Sequence, residues 1–194
     1  MTEFALDSRL VTSASTGRAI ANCDRISSLK ILGIDPGLTS TGYGLIEVVD
    51  RDFKAIEGGV VRTKSSELLE NRLFSIYKVI RDVIREFKPD AVAVEDLHAR
   101  FAKTALLLGH ARGVAVMAAG EAGIPVFHYQ PTRAKNLVTG SGRADKEQMK
   151  QAVAAHLGTP DAAKNEHVAD AFSIAIAHAI MADSSALAAI EAAK

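Results

Sequence analysis

The run Ala91-Val92-Ala93-Val94-Glu95 leaves this chain few architectures to choose from. Four successive apolar residues, with no polar alternation, make a strand that must be covered on both faces, as in a buried parallel sheet. The flanks supply the cover. Leu69, Leu73, Ile76, Ile80, Val83, Ile84 and Phe87 repeat at helical spacing upstream. They predict an amphipathic helix of about five turns, closed by Lys88-Pro89. Downstream, Leu106 to Ala122 reads as a long, nearly all-apolar helix. One face of it suits the sheet and the other something else, a partner subunit among the options.

The rest of the chain fits around that strand. Leu29 to Asp35 is a short strand stopped by Pro36-Gly37. Gly42 to Val49 and Phe53 to Arg62 follow as strands around the turn Asp50-Arg51-Asp52. Three strands on short links form an antiparallel meander. Pro125 to Tyr129 is a fifth strand, and helical stretches cover about 131–138, 145–157 and 166–182. Antiparallel strands followed by strands alternating with helices predict an α/β domain built on a five-stranded mixed sheet. Residues 29–182 form that domain. Residues 1–28, rich in Ser, Thr, Ala and Arg, read as a flexible arm or an over-long start, and residues 183–194 as a tail.

Length and charge narrow the class further. The chain has 194 residues, a hydrophobic fraction of 48% and one cysteine, Cys23. It can bury a core unaided, and neither an intramolecular disulfide nor a Cys-rich zinc site is open to it. No apolar run is long enough to span a membrane, and no basic-then-apolar leader opens the sequence. The expected setting is therefore the reducing cytoplasm. Lys plus Arg and Asp plus Glu number 23 each. Zero net charge still leaves room for a local basic face.

Three segments carry candidate chemistry. Asp35 ends the first strand, at the kind of sheet edge where open α/β folds place ligands. An isolated Asp-Pro-Gly is more often a turn whose Asp caps local amides. Glu95 changes the balance by ending the buried strand. If those two strands are neighbours, two carboxylates share one place and need a cation between them. Alone, Glu95 would read as a solvated strand end. The third segment, Asn165-Glu166-His167-Val168-Ala169-Asp170, has a capping Asn, and His167 and Asp170 share one helix face. By itself such a pair is usually a surface hydrogen bond. His178, further along, reads as a structural or surface histidine.

Positive charge gathers between residues 100 and 150, where eight Lys/Arg meet three acids. Arg112, Lys135, Arg143 and Lys146 belong to this stretch, and Lys135 and Lys146 flank Gly140-Ser141-Gly142. Surface charge of this kind is commonly just solvated. Beside a carboxylate metal site, it is the arrangement expected for cutting a polyanion.

Taken together, these stretches resemble the RuvC family of Holliday-junction resolvases. The matching segments are Leu32-Gly33-Ile34-Asp35-Pro36-Gly37 with Gly42-Tyr43-Gly44, Val61-Arg62-Thr63-Lys64, and Ala93-Val94-Glu95. Further on come Leu108-Gly109-His110-Ala111-Arg112-Gly113-Val114, Pro125-Val126-Phe127, and Ala169-Asp170-Ala171 leading to His178. The resemblance runs from about Leu29 to Ile180. It implies a ribonuclease-H-like fold, a homodimer and a Mg2+ nuclease with two ions per site. The family's four chemical positions fall on Asp35, Glu95, His167 and Asp170, and its junction-binding lysines on Lys135 and Lys146. An aromatic wedge usually follows the catalytic Glu by three positions. Here that position is His98, in a loop one residue shorter, which leaves Phe101 and His98 as the wedge candidates. RuvA and RuvB are the partners the resemblance implies.

The expected chemistry is hydrolysis of a four-way DNA junction by two divalent ions ~4 Å apart, leaving 5′-phosphate and 3′-hydroxyl ends. An imidazole ligand suits Mn2+ better than Mg2+, so Mn2+ is expected to serve well. Two other readings stay open. Ile34-Asp35-Pro36-Gly37 with Thr39 resembles the first phosphate loop of actin-like ATPases and sugar kinases, although the chain leaves little room for their second domain. A non-catalytic junction-binding module on the same fold would bind without cutting.

Overall fold

A computed structural model describes residues 28–96 and 102–192. Residues 1–27 of the expected arm, and both wedge candidates His98 and Phe101, lie outside the described residues. The elements alternate as the sequence predicts. Strands β1 (Leu29–Asp35), β2 (Ser40–Val49) and β3 (Asp52–Arg62) form the meander, and helix α1 (Leu69–Phe87) follows. Strand β4 (Ala91–Glu95), helix α2 (Ala102–Glu121) and strand β5 (Val126–Tyr129) continue the alternation. Helices α3 (Pro131–Thr139), α4 (Lys146–Leu157) and α5 (Glu166–Ala192) end it, with a short 3-10 turn at Pro160–Ala163.

The sheet has five strands in the order β3-β2-β1-β4-β5. β1 pairs antiparallel with β2 and parallel with β4, and β4 pairs parallel with β5. The β2–β3 link is a two-residue turn in which Asp50 and Arg51 both take positive φ, 50° and 72°. Two such residues match the twist of the strands they join.

Alternation along β1 separates two cores. Leu32 and Ile34 join Leu45, Val92, Val94 and the apolar face of α1 with Ala111, Ala115, Ala118 and Ala119 of α2. Ile31, Ile46 and Ala93 point the other way, onto Phe172, Ile174, Ile176, α3 and α4. β4 contributes to both, which is why it carries no polar position before Glu95.

Helix α5 lies almost on the backbone of the sheet. A Cβ on Gly33 would stand 2.0 Å from the Ala171 carbonyl oxygen, and one on Gly42 2.0 Å from that of His167. Only glycine permits that approach, and it sets the height of the α5 N-terminus above the strand ends.

Two helix bounds differ from expectation. α2 begins at Ala102 rather than Leu106. α5 runs through to Ala192 without a break near residue 183, since the Ala-rich stretch there is good helix former and carries no stop signal. Among the described residues no helix is long and apolar enough to cross a membrane.

Candidate active site at the strand ends

Asp35 and Glu95 end neighbouring parallel strands, so their side chains leave the sheet at the same edge. Their carboxyl groups lie close enough for the charge of one to act on the other. The loop after Asp35 is tied down from several sides. Thr41 Oγ1 donates to the Gly37 carbonyl at 2.6 Å, and Thr63 Oγ1 to that of Leu38 at 2.6 Å. Arg72, buried in α1, donates from Nε to Thr63 Oγ1 at 2.9 Å and from Nη2 to Thr39 Oγ1 at 3.3 Å. Sequence reasoning missed Arg72, although a signal exists. The residue sits between Leu69 and Ile76 on the apolar face of the helix, where a charge must have a built-in partner.

Helix α5 brings the other two residues. The Asn165 side chain accepts from the His167 backbone N–H at 3.0 Å and so caps the helix start. His167 then reaches down to Asp35, Nδ1 to Oδ2 at 3.1 Å. Asp170 lies one turn along, close enough for its charge to act on Glu95. The structure thus brings together Asp35, Glu95, His167 and Asp170.

All three carboxyls are pushed above their ordinary range, chiefly by burial. Glu95 rises to about 8, with the charges of Asp35 and Asp170 adding to the desolvation. Asp170 rises to about 6, with Asp35 and Glu166 adding. Asp35 is raised as well, by burial, with its bond to His167 working against the rise. Lys135 acts on Glu95, and Lys146 on Asp170, in the opposite sense, without cancelling it. Among the described residues no three His, Cys, Asp or Glu form a ready-made metal cage. The donor set itself suits a hard divalent cation, which would let three desolvated carboxyls ionise together.

The basic residues divide. Lys135 Nζ donates to the Ala144 carbonyl at 3.3 Å, beside the site. Lys146 opens α4, whose start is fixed by a capping box between Asp145 and Gln148, and it pairs with Glu166. Arg143 is exposed in the loop between α3 and α4. Arg112, expected on the DNA-facing surface, instead turns inward, where Asp96 and His128 take its guanidinium. His178 is a structural histidine: it is buried, with Nδ1 2.7 Å from the Tyr129 hydroxyl.

The same fold recurs in solved proteins. The structure of RuvC from Thermus thermophilus matches with a TM-score of 0.75 and 35% identity, covering 81% of this chain and 97% of that one. The T. thermophilus protein in complex with a Holliday-junction substrate matches with a TM-score of 0.77 at the same identity, over 81% and 96%. The molecule is therefore a nuclease of the ribonuclease-H-like class. Within that class the sequence is specific. The model of the family described as crossover junction endodeoxyribonuclease RuvC matches residues 31–178. The RuvC of Desulforamulus reducens is 43% identical over 150 residues, 77% of this chain and 92% of that protein. The chain belongs to the RuvC family.

Proposed function

We propose that this protein resolves four-way DNA junctions by symmetric, metal-dependent phosphodiester hydrolysis, in homologous recombination and DNA repair. The observation that carries the reading is the convergence of Asp35, Glu95, His167 and Asp170 at one sheet edge, in a chain of this family. Those four residues would hold the divalent ions, Mg2+ with Mn2+ as an effective substitute. When bound, such ions supply a water of lowered pKa and stabilise charge on the leaving 3′ oxygen.

The chain's own groups do the rest. Asp35 is held at its strand end by the bonded loop behind it, so it is the fixed point of the site. Glu95 and Asp170 flank it in a desolvated setting, where their charges act with little screening from water. His167, oriented by Asn165 and α5, presents a ring nitrogen to the same spot. Lys135, Lys146 and Arg143 meet backbone phosphates and hold the scissile strand over the carboxyls. The products are a 5′-phosphate and a 3′-hydroxyl.

Two cuts need two sites, and helix α2 offers the face for a second copy. Leu106 and Met117 are exposed there, 62% and 56%. Gly113 and Gly120, on the same stripe, have open space in front of them. Small residues beside exposed apolar ones let a second helix approach closely. A homodimer working with RuvA and RuvB in the cytoplasm completes the reading.

The test incubates the purified protein with a labelled four-way junction and a linear duplex, in Mg2+, Mn2+ or EDTA. Paired, religatable nicks on the junction alone, lost in EDTA, are expected. Junction binding without cutting in either metal would overturn the enzyme reading in favour of a binding module.

A further inference from the structure

Arg112 belongs to the basic stretch by sequence and to the site's scaffold by geometry. From α2 its Nη2 donates to Asp96 Oδ1 at 2.9 Å and to His128 Nδ1 at 2.8 Å. Its side chain is 24% exposed, and its Nε is buried with no hydrogen-bond partner among the described residues. Its Nη2 is thus committed to protein partners rather than offered to a phosphate. Asp96 is the residue after Glu95. Its backbone N–H donates to the Tyr129 carbonyl at 2.8 Å, which fixes the main chain to β5. Its side chain is then held to α2 by Arg112. Both anchors sit one residue beyond Glu95, where β4 ends. His128, the second partner, lies on β5 directly opposite Val94. The guanidinium thus joins three elements around the end of one strand.

We propose that Arg112 is a positioning residue for Glu95: it clamps Asp96 and so fixes the direction in which the Glu95 carboxyl leaves the sheet. The same clamp links the helix read as the dimer face to the carboxylate site. The ion pair is half-exposed, so its worth lies in orientation more than in stability. A carboxylate that wanders by an ångström loses much of its effect on a reacting centre. The inference rests on Glu95 being one of the site carboxylates.

The test uses the full chain in excess over a labelled junction. It measures the single-turnover cleavage rate at saturation, junction affinity in EDTA by anisotropy, and the salt dependence of that affinity. Arg112→Gln and Asp96→Asn are each expected to slow the saturating rate by ~10- to 100-fold while affinity stays within about twofold. The double variant is expected to be no slower than the worse single one, because both remove one clamp. Arg112→Lys, which keeps a charge on Asp96, is expected to recover part of the rate. If Arg112→Gln fails to fold, the near-isosteric Asp96→Asn decides the matter alone. An unchanged saturating rate in Asp96→Asn overturns the inference. So does an Arg112→Gln protein with weaker, less salt-dependent binding and a normal saturating rate, which would make Arg112 a phosphate ligand. An active Glu95→Gln protein would instead overturn the reading of the site itself.

Discussion

Asp35 and His167 lie 132 residues apart in the chain and 3.1 Å apart in space, carboxylate oxygen to ring nitrogen. That contact spans the sheet and the last helix, so it exists only when the whole domain has folded. It also marks Asp35 as the group on which the other candidates converge. Replacing Asp35 with Asn keeps the shape and removes the charge. Cleavage of a four-way junction is expected to fall below detection, with junction affinity retained, in a gel-shift and nicking assay run side by side. Loss of binding along with cutting would assign Asp35 a structural role.

The histidine at this corner makes the site softer than an all-carboxylate one. Imidazole suits Mn2+ better than Mg2+. The wild-type protein is expected to cut faster in Mn2+, and His167→Asp to shift the preference toward Mg2+. Rates measured in the two ions, for both proteins, give the ratio directly. An equal ratio in the two proteins would remove His167 from the ligand set.

Much of this is legible in the sequence. The four apolar positions before Glu95 required cover on both faces, and the two cores supply it. Helix α1 begins and ends at the residues the period gives, because Lys88-Pro89 is an unambiguous stop. Asp35 and Glu95 fall at one edge as soon as their strands are neighbours, and they are. Other features depended on geometry that sequence does not carry. The height of α5 above the sheet follows from Gly42 and Gly33 meeting its backbone, a relation between segments far apart in the chain. Arg112 sits on a helix that is apolar nearly all round, so no polar face told which way its charge would turn. Arg72 hid for the opposite reason, as a charge inside an apolar stripe whose partners lie on other elements.

The raised carboxyls predict how stability changes with pH when no divalent ion is present. Glu95 titrates near 8 in the folded chain against an ordinary 4.5, and Asp170 near 6 against 3.8. Between those values the folded state holds protons that the unfolded state has released. Their contribution is complete below the ordinary pKa and is lost as pH rises through the folded one. His178 acts in the opposite sense, since burial lowers its pKa, so the total curve mixes both. Glu95→Gln isolates the carboxyl. In EDTA, the melting temperature of the wild type relative to Glu95→Gln is expected to fall from about pH 6 to about pH 8. Added Mg2+ should flatten that fall. A difference that rises with pH would contradict the desolvated-carboxyl account.

Lys135 and Lys146 lie on α3 and at the start of α4, and Lys146 pairs with Glu166. Removing one cation that neutralises a phosphate should reduce the slope of log affinity against log salt by about 0.9. Lys135→Ala and Lys146→Ala are therefore expected to weaken junction binding and flatten its salt dependence, read by anisotropy across a salt series. Unchanged slopes would place both lysines outside the DNA path.

Gly42 offers the sharpest test of how the fold makes the site. It pairs with Asp35 in the sheet register, and the His167 carbonyl lies directly over it. A methyl group there would sit 2.0 Å from that oxygen, far inside van der Waals distance, and the neighbour is backbone rather than a movable side chain. Helix α5 must lift, and His167 with it. The overpacking is expected to cost about 1–3 kcal/mol of stability. The displaced His167 and Asp170 should cost more in rate, on the order of 100-fold. Gly42→Ala is therefore expected to melt at lower temperature, to remain folded in the cold, and to cut far more slowly there, while Lys135 and Lys146 still bind the junction. A variant that melts early yet cuts at the wild-type rate would separate the height of α5 from the chemistry, and with it the claim that this glycine sets the active geometry.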